Sequence, residues 1–265
     1  MKETFPQIPP AFLDADDKGP ARRLAYRLRA AAAEHEKPGI VWLGGFKSDM
    51  LSTKAERIDQ WAAQRGRAFL RFDYTGHGES GGRFEDGTIG LWLADSLAMI
   101  RKLTHGPQIL VGSSMGGWIS LLAARALARS SETQRLAGMV LIAPAVDFTE
   151  TLMWAQMSPE IRRQIEDTGV WQRHSQYAPE PTPITRALVE DGRKNLLLGQ
   201  TIRTHCPVHI LQGMEDPDVP WKHALTLVEH LAGDPVALTL IKDGDHRLSR
   251  EEDIERLLAA IEAIC

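Results

Sequence analysis

A serine lies between two glycines in Gly112-Ser113-Ser114-Met115-Gly116, directly after the apolar run Ile109-Leu110-Val111. On a tight turn from strand to helix, such a serine projects its hydroxyl out of the sheet, and the small flanking residues allow the backbone approach this turn demands. Ser114 is therefore a candidate nucleophile. A serine hydroxyl is weak at neutral pH, so it needs a base, and the base needs a group to orient it. Ile241-Lys242-Asp243-Gly244-Asp245-His246 ends a strand-like run in a glycine-containing loop and delivers His246 as the candidate base.

Leu211-Gln212-Gly213-Met214-Glu215-Asp216-Pro217-Asp218 sets acids at the mouth of another strand-like run. The spacing from Gly213 favours Asp216 as the orienting acid, with Asp218 a neighbouring turn residue. Asp147, after the run ending at Ile142, is the other position such an acid takes. The chain order serine, acid, histidine suits an open α/β sheet. Nucleophilic attack on a carbonyl also creates an oxyanion that needs two N–H donors. Met115, after the nucleophile, supplies one, and Phe46, after Gly44-Gly45, supplies the other; a plain Gly-Gly turn is the competing reading of that loop. His77, within Gly76-His77-Gly78, reads as shaping a loop beside the site.

These residues have to be positioned by elements, and the hydrophobic pattern supplies them. Short apolar runs at 23–28, 39–43, 68–72, 108–111, 139–142, 208–212 and 237–241 predict strands, and amphipathic stretches at 53–64, 91–103, 116–127 and 251–264 predict helices. His223 and His230 fall on a further helix. In the last helix Ile254, Leu257, Leu258 and Ile261 form one apolar stripe, and Ser249 with Glu252 resembles a capping box. The alternation predicts an α/β fold with a mostly parallel central sheet flanked by helices. Between 148 and 204 the rhythm breaks: helix-like pieces at 151–166 and 183–198 flank a turn-rich stretch with Pro179, Pro181 and Pro183, and no strand is expected there. The expected organisation is a core of residues 1–147 and 205–265 with a small helical cap at 148–204. Trp154, Met157 and Trp171 are the apolar side chains such a cap would present to an acyl group, with core packing as the competing reading.

The 265-residue chain is long enough to bury one large core. A formal charge of −4 leaves no concentrated basic face, which argues against a nucleic-acid partner. Arg22, Arg23, Arg27 and Arg29 read as a solvated face. Two cysteines, Cys206 and Cys265, make no secreted disulfide framework. No apolar run approaches the roughly 18 residues needed to span a bilayer, and residues 1–20 do not look like a leader. A cytoplasmic protein is expected. Ligand spacings for a metal and glycine fingerprints for a nucleotide are missing, so no cofactor is expected.

The segments Arg71-Phe72-Asp73-Tyr74, Gly106 to Ser114, Gly116-Gly117-Trp118, Gly169-Val170-Trp171, Val219-Pro220-Trp221 and Asp245-His246-Arg247 give the chain a resemblance over nearly its whole length. It resembles the α/β-hydrolase-domain family that includes an animal mitochondrial acyl-protein thioesterase and acyl-glucuronide esterase. The resemblance implies Ser114 as nucleophile, Asp216 as acid, His246 as base, and oxyanion donors at Phe46 and Met115. The expected activity is hydrolysis of small-molecule carboxylic esters or acyl thioesters, or of an acylated protein, through an acyl-enzyme. A peptidase or amidase on the same fold, and a hydrolase-like binding protein without turnover, are the alternatives.

Overall fold

The computed structural model describes residues 8–15, 22–32, 37–175, 178–231 and 233–264. Cys265 and most of residues 1–20 lie outside these. In chain order the elements begin β1 (Ala11–Ala15), β2 (Arg22–Arg29), β3 (Gly39–Leu43), α1 (Thr53–Gln64), β4 (Phe69–Phe72), α2 (Ile89–Leu103), β5 (Gln108–Ser113), α3 (Met115–Arg129) and β6 (Leu136–Ile142). They continue with α4 (Pro159–Thr168), β7 (Val170–Ser175), β8 (Ala178–Thr185), α5 (Arg186–Lys194), β9 (Val208–Gly213), α6 (Trp221–His230), β10 (Val236–Ile241) and α7 (Glu251–Ala263). Eight strands form one sheet in the order β1-β2-β4-β3-β5-β6-β9-β10. β1, β2 and β4 pair antiparallel, and every pairing from β4 to β10 is parallel.

The parallel centre is buried on both faces because successive side chains point to opposite sides of a strand. Ile40 and Trp42 of β3 pack with Ile109 and Val111 of β5 among residues of α1 and α7. Val41, Leu43 and Leu110 face the other way, among residues of α2 and α3. All six residues of β5 are buried, as are all of β3 beside it, so the strand that carries Ser114 at its end lies inside the core.

Several elements differ from expectation. The Arg22–Arg29 cluster is not a solvated face: Arg22 and Arg27 are buried, and they pair with Asp95 at 2.8 Å and Glu79 at 2.6 Å. The two lie five residues apart and so on opposite faces of β2, where each is covered together with its acid, while the neighbouring Arg23 stays exposed. The capping box does not form either. Arg250 occupies the cap position of α7, and Ser249 Oγ donates instead to the Arg247 carbonyl at 3.0 Å.

The largest difference lies between β6 and β9. The helical piece at 151–166 is broken into a π-turn at Thr149–Met153, a 3-10 turn at Trp154–Gln156 and α4. The proline-rich stretch is not a turn but strand β8, paired antiparallel with β7 in a two-stranded ribbon. Pro181 and Pro183 are two residues apart, so their nitrogens fall on the same side of β8. Proline can belong to an edge strand when the donor it lacks would have faced away from the partner.

Candidate active site

Ser114 joins β5 to α3 at φ 54°, ψ −116°, a conformation non-glycine residues adopt only when surrounding contacts hold it. Those contacts are specific. The Ser114 N–H donates to Ile142 O at 2.8 Å, and Ser114 O accepts from Gly117 N at 2.9 Å and Ala145 N at 3.1 Å. Two residues on, a Cβ at Gly116 would lie 2.0 Å from Leu43 O, so the turn closes only without a side chain there.

His246 Nε2 lies 3.1 Å from Ser114 Oγ, and His246 Nδ1 lies 2.7 Å from Asp216 Oδ2. An ionised carboxylate only accepts, so Nδ1 carries the proton and Nε2 is left to accept from the serine hydroxyl. Asp216 is held in turn: its Oδ1 accepts from the N–H groups of Asp218 and Val219 at 2.8 and 2.9 Å, and Gln212 Nε2 donates to Oδ2 at 3.3 Å. Gly213 brings the acid and histidine loops together, because a Cβ there would meet Gly244 O at 2.3 Å. Asp218 takes part through its backbone, as a turn residue. Asp147 is committed elsewhere, its two oxygens accepting from Leu197 N and Leu198 N at 2.8–3.1 Å. The three residues expected from the sequence to act together are thus in one hydrogen-bonded chain, and the alternative acid is not.

A cleft of about 750 Å³ opens over Ser114, lined by Phe46, Met115, Phe148, Leu152, Met153 and His246 among others. Met115 opens α3, whose first N–H groups have no partner within the helix and sit at its positive end. The Phe46 loop is braced on both sides: Ser48 N donates to Gly45 O at 3.1 Å and Lys47 N donates to His77 Nε2 at 3.1 Å, and neither bond uses the Phe46 N–H. His77 is buried against Tyr74, Phe84 and Trp92, with Nδ1 3.3 Å from Thr75 O. Burial pushes its pKa down to about 4, so at pH 7 the ring is neutral and its Nε2 stays an acceptor for Lys47.

Trp154, Met157 and Trp171 do not line this cleft, which corrects the expected acyl pocket. Met157 is buried in the core, and Trp154 and Trp171 pack against it. The guanidinium of Arg193 covers the Trp154 ring at 4.6 Å. The π-turn at 149–153 and the 3-10 turn after it place Leu152, Met153 and Gln156 at the cleft instead, while Trp171 belongs to strand β7.

Lys54 was not singled out by the sequence. It lies on α1 in the cleft wall, and its amine donates to the carbonyl of Arg247, next to His246, and to Ser249 Oγ at 3.4 Å. Desolvation lowers its pKa to about 8, against opposing pulls from Asp245 and Asp253, while Arg247 lowers it further. A lysine pKa below its unfolded value means that the unfolded chain binds the extra proton between about pH 8 and pH 10.5, so stability rises with pH across that window. Urea unfolding of wild type and Lys54→Met should show the difference moving in the wild type's favour from pH 7 to pH 10, by on the order of 2 kcal/mol. A difference that stays flat across the window would refute the buried charge.

Among the described residues, Asp216, Asp218 and His246 are the group that a metal ion could bridge, with ligand atoms within 4.8 Å of one another. The Asp216 oxygens are already taken by four donors, so the cluster is explained by the proton chain.

Residues 39–178 match the hydrolase family described as serine aminopeptidase, S33. The chain is 37% identical over 228 residues to palmitoyl-protein thioesterase ABHD10, mitochondrial, of Bos taurus, covering 86% of this chain and 72% of that one. The Homo sapiens protein of the same name is 36% identical over the same coverage. Among solved structures, a protein of Agrobacterium vitis S4 described as a hydrolase superposes with a TM-score of 0.92 at 48% identity, over 98% of this chain and 99% of that one. Mouse alpha/beta hydrolase domain-containing protein 10 superposes with a TM-score of 0.84 at 31% identity, over 97% and 98%. These relatives also overturn the expectation of a cytoplasmic protein, since those with curated names are mitochondrial. Cysteine count and net charge report on disulfide chemistry and surface electrostatics, and these properties do not tell one compartment from the other.

Proposed function

The chain belongs to the hydrolase family described as serine aminopeptidase, S33, and to that of the ABHD10 thioesterases, and from that premise we propose that it cleaves acyl thioesters and carboxylic esters through an acyl-enzyme on Ser114. The observation that carries the reading is the hydrogen-bonded chain from Ser114 Oγ through His246 to Asp216 at the floor of an open cleft. In the first step His246 Nε2 takes the hydroxyl proton as Oγ attacks the acyl carbonyl. Negative charge then forms on the carbonyl oxygen, where the N–H groups of Met115 and Phe46 receive it. Collapse breaks the bond to sulfur or oxygen, His246 returns the proton to the leaving group, and Asp216 stabilises the imidazolium in between. Water repeats the sequence and releases the acid. No cofactor is required.

In this reading the segment 148–204 is a cap, and Phe148, Leu152 and Met153 are its contribution to an acyl pocket. Each methylene buried in the transition state contributes about 0.8 kcal/mol, roughly a fourfold gain in kcat/KM. A p-nitrophenyl ester series from acetate to decanoate should rise with chain length. Leu152→Ala should flatten the rise, whereas Trp154→Ala should leave its slope unchanged. Rates that fall steadily beyond acetate would remove the acyl pocket. The family description also names an aminopeptidase, which a matched set of acyl and aminoacyl p-nitroanilides tests directly: turnover of these above that of the esters would favour the peptidase.

A further inference from the structure

Beyond the Asp147 loop, α3 and the chain leading into β9 line a second, solvent-open cavity of about 350 Å³, separate from the cleft. Arg125, Arg129, Arg203 and His205 line it, over a floor of Leu197 and Ile202, and no aspartate or glutamate belongs to its wall. The two floor residues are buried. Several guanidinium groups elsewhere pair with carboxylates, as in Arg29 with Asp59, Arg101 with Glu132, and Arg193 with Glu150. Arg125, Arg129 and Arg203 make no such pair with a described residue. The nearby acids are engaged: Asp234 accepts from Thr204 N and His205 N, and Asp147 accepts from Leu197 N and Leu198 N.

Two of these arginines stand at i and i+4 on α3, where like charges repel each other. Loss of solvent, and after it Arg129, press the Arg125 pKa down, and Asp147 acts against them. A helix C-terminus favours one cation in its last turn, which accounts for Arg129 but not for Arg125 a turn earlier or Arg203 on another segment. An anion from outside the chain would relieve the half-buried Arg125 and pair with the exposed Arg129 and Arg203 at the same time. Guanidinium forks match the oxygens of phosphate, and the cavity has room beyond a single phosphate, with an apolar floor for an organic group.

We propose that this cavity is a second ligand site, which takes a phosphate group carried on a small organic molecule and holds it with Arg125, Arg129 and Arg203. The site does not depend on the Ser114 chemistry. Its floor does touch that chemistry indirectly, because Leu197 and Leu198 are tied to Asp147, and Ala145 two residues earlier donates to Ser114 O.

Isothermal titration of the full chain with inorganic phosphate and with adenosine monophosphate, at low and at moderate salt, tests the site. Both should bind, the ester more tightly, and the affinity should fall with salt. Arg203→Gln should weaken binding on the order of tenfold or more, since each charge-assisted bond to phosphate is lost outright. Arg203 is exposed, so this variant keeps the fold; Arg125→Gln provides the half-buried counterpart. Arg163→Gln, an exposed arginine on α4 outside the cavity, should bind as wild type does. Absence of binding by either probe would overturn the proposal, as would wild-type affinity in Arg203→Gln. Phosphate binding as tightly as the ester would overturn the organic part of it.

Discussion

Ser114→Ala is expected to abolish covalent labelling by a fluorophosphonate and to lower kcat by on the order of 10⁴-fold or more, because a nucleophile and its base act as a unit. The expectation rests on the 3.1 Å approach of His246 Nε2 to Ser114 Oγ and on the strained turn that holds the serine there. Alanine should be accepted without loss of fold. The backbone bonds to Ile142 O, Gly117 N and Ala145 N do not involve the side chain, and among the described residues the hydroxyl bonds only to His246. Steady-state turnover and labelling, read beside circular dichroism, separate chemistry from folding. Turnover near wild type in a folded Ser114→Ala protein would falsify the acyl-enzyme.

Asp216→Asn should cost about 10⁴-fold in kcat, by analogy with other serine, histidine and aspartate sites. An asparagine that offers its NH₂ to His246 Nδ1 favours the tautomer with the proton on Nε2, which then faces the serine as a donor and cannot accept. Asp147→Asn provides the contrast. Its carboxylate holds Leu197 N and Leu198 N rather than the histidine, and Asp147 sits at φ 56°, a conformation asparagine tolerates well. Most activity should survive there. A crippled Asp147→Asn beside an active Asp216→Asn would move the acid to the end of β6.

How much of this was legible in the sequence follows from how locally each feature is encoded. The serine, the acid and the histidine each lie in the loop or turn that follows a strand of the parallel sheet, and strand, turn and chain order are written in consecutive residues. β3 and α1 have the predicted bounds because their apolar patterns and flanking turns are local. What the sequence hid depends on context. Trp154 was singled out as a large apolar residue of the cap, and composition alone does not show that the π-turn puts Leu152 and Met153 at the cleft instead. β8 was concealed by its own prolines, which in isolation signal a turn. Lys54 reads as an ordinary polar residue of an amphipathic helix, and its burial shows only once the Arg247 carbonyl is folded against it.

The proline edge of β8 also constrains how a macromolecular substrate can approach. An extended polypeptide often docks by adding itself to an open strand, exchanging main-chain bonds residue by residue. At Pro181 and Pro183 that side of β8 has no N–H to offer, so a polypeptide laid along it finds gaps where the ladder should continue. Strand addition along that stretch is closed, and a protein carrying an acyl group would have to be read there by its lipid and side chains, whatever the sequence around the modified residue.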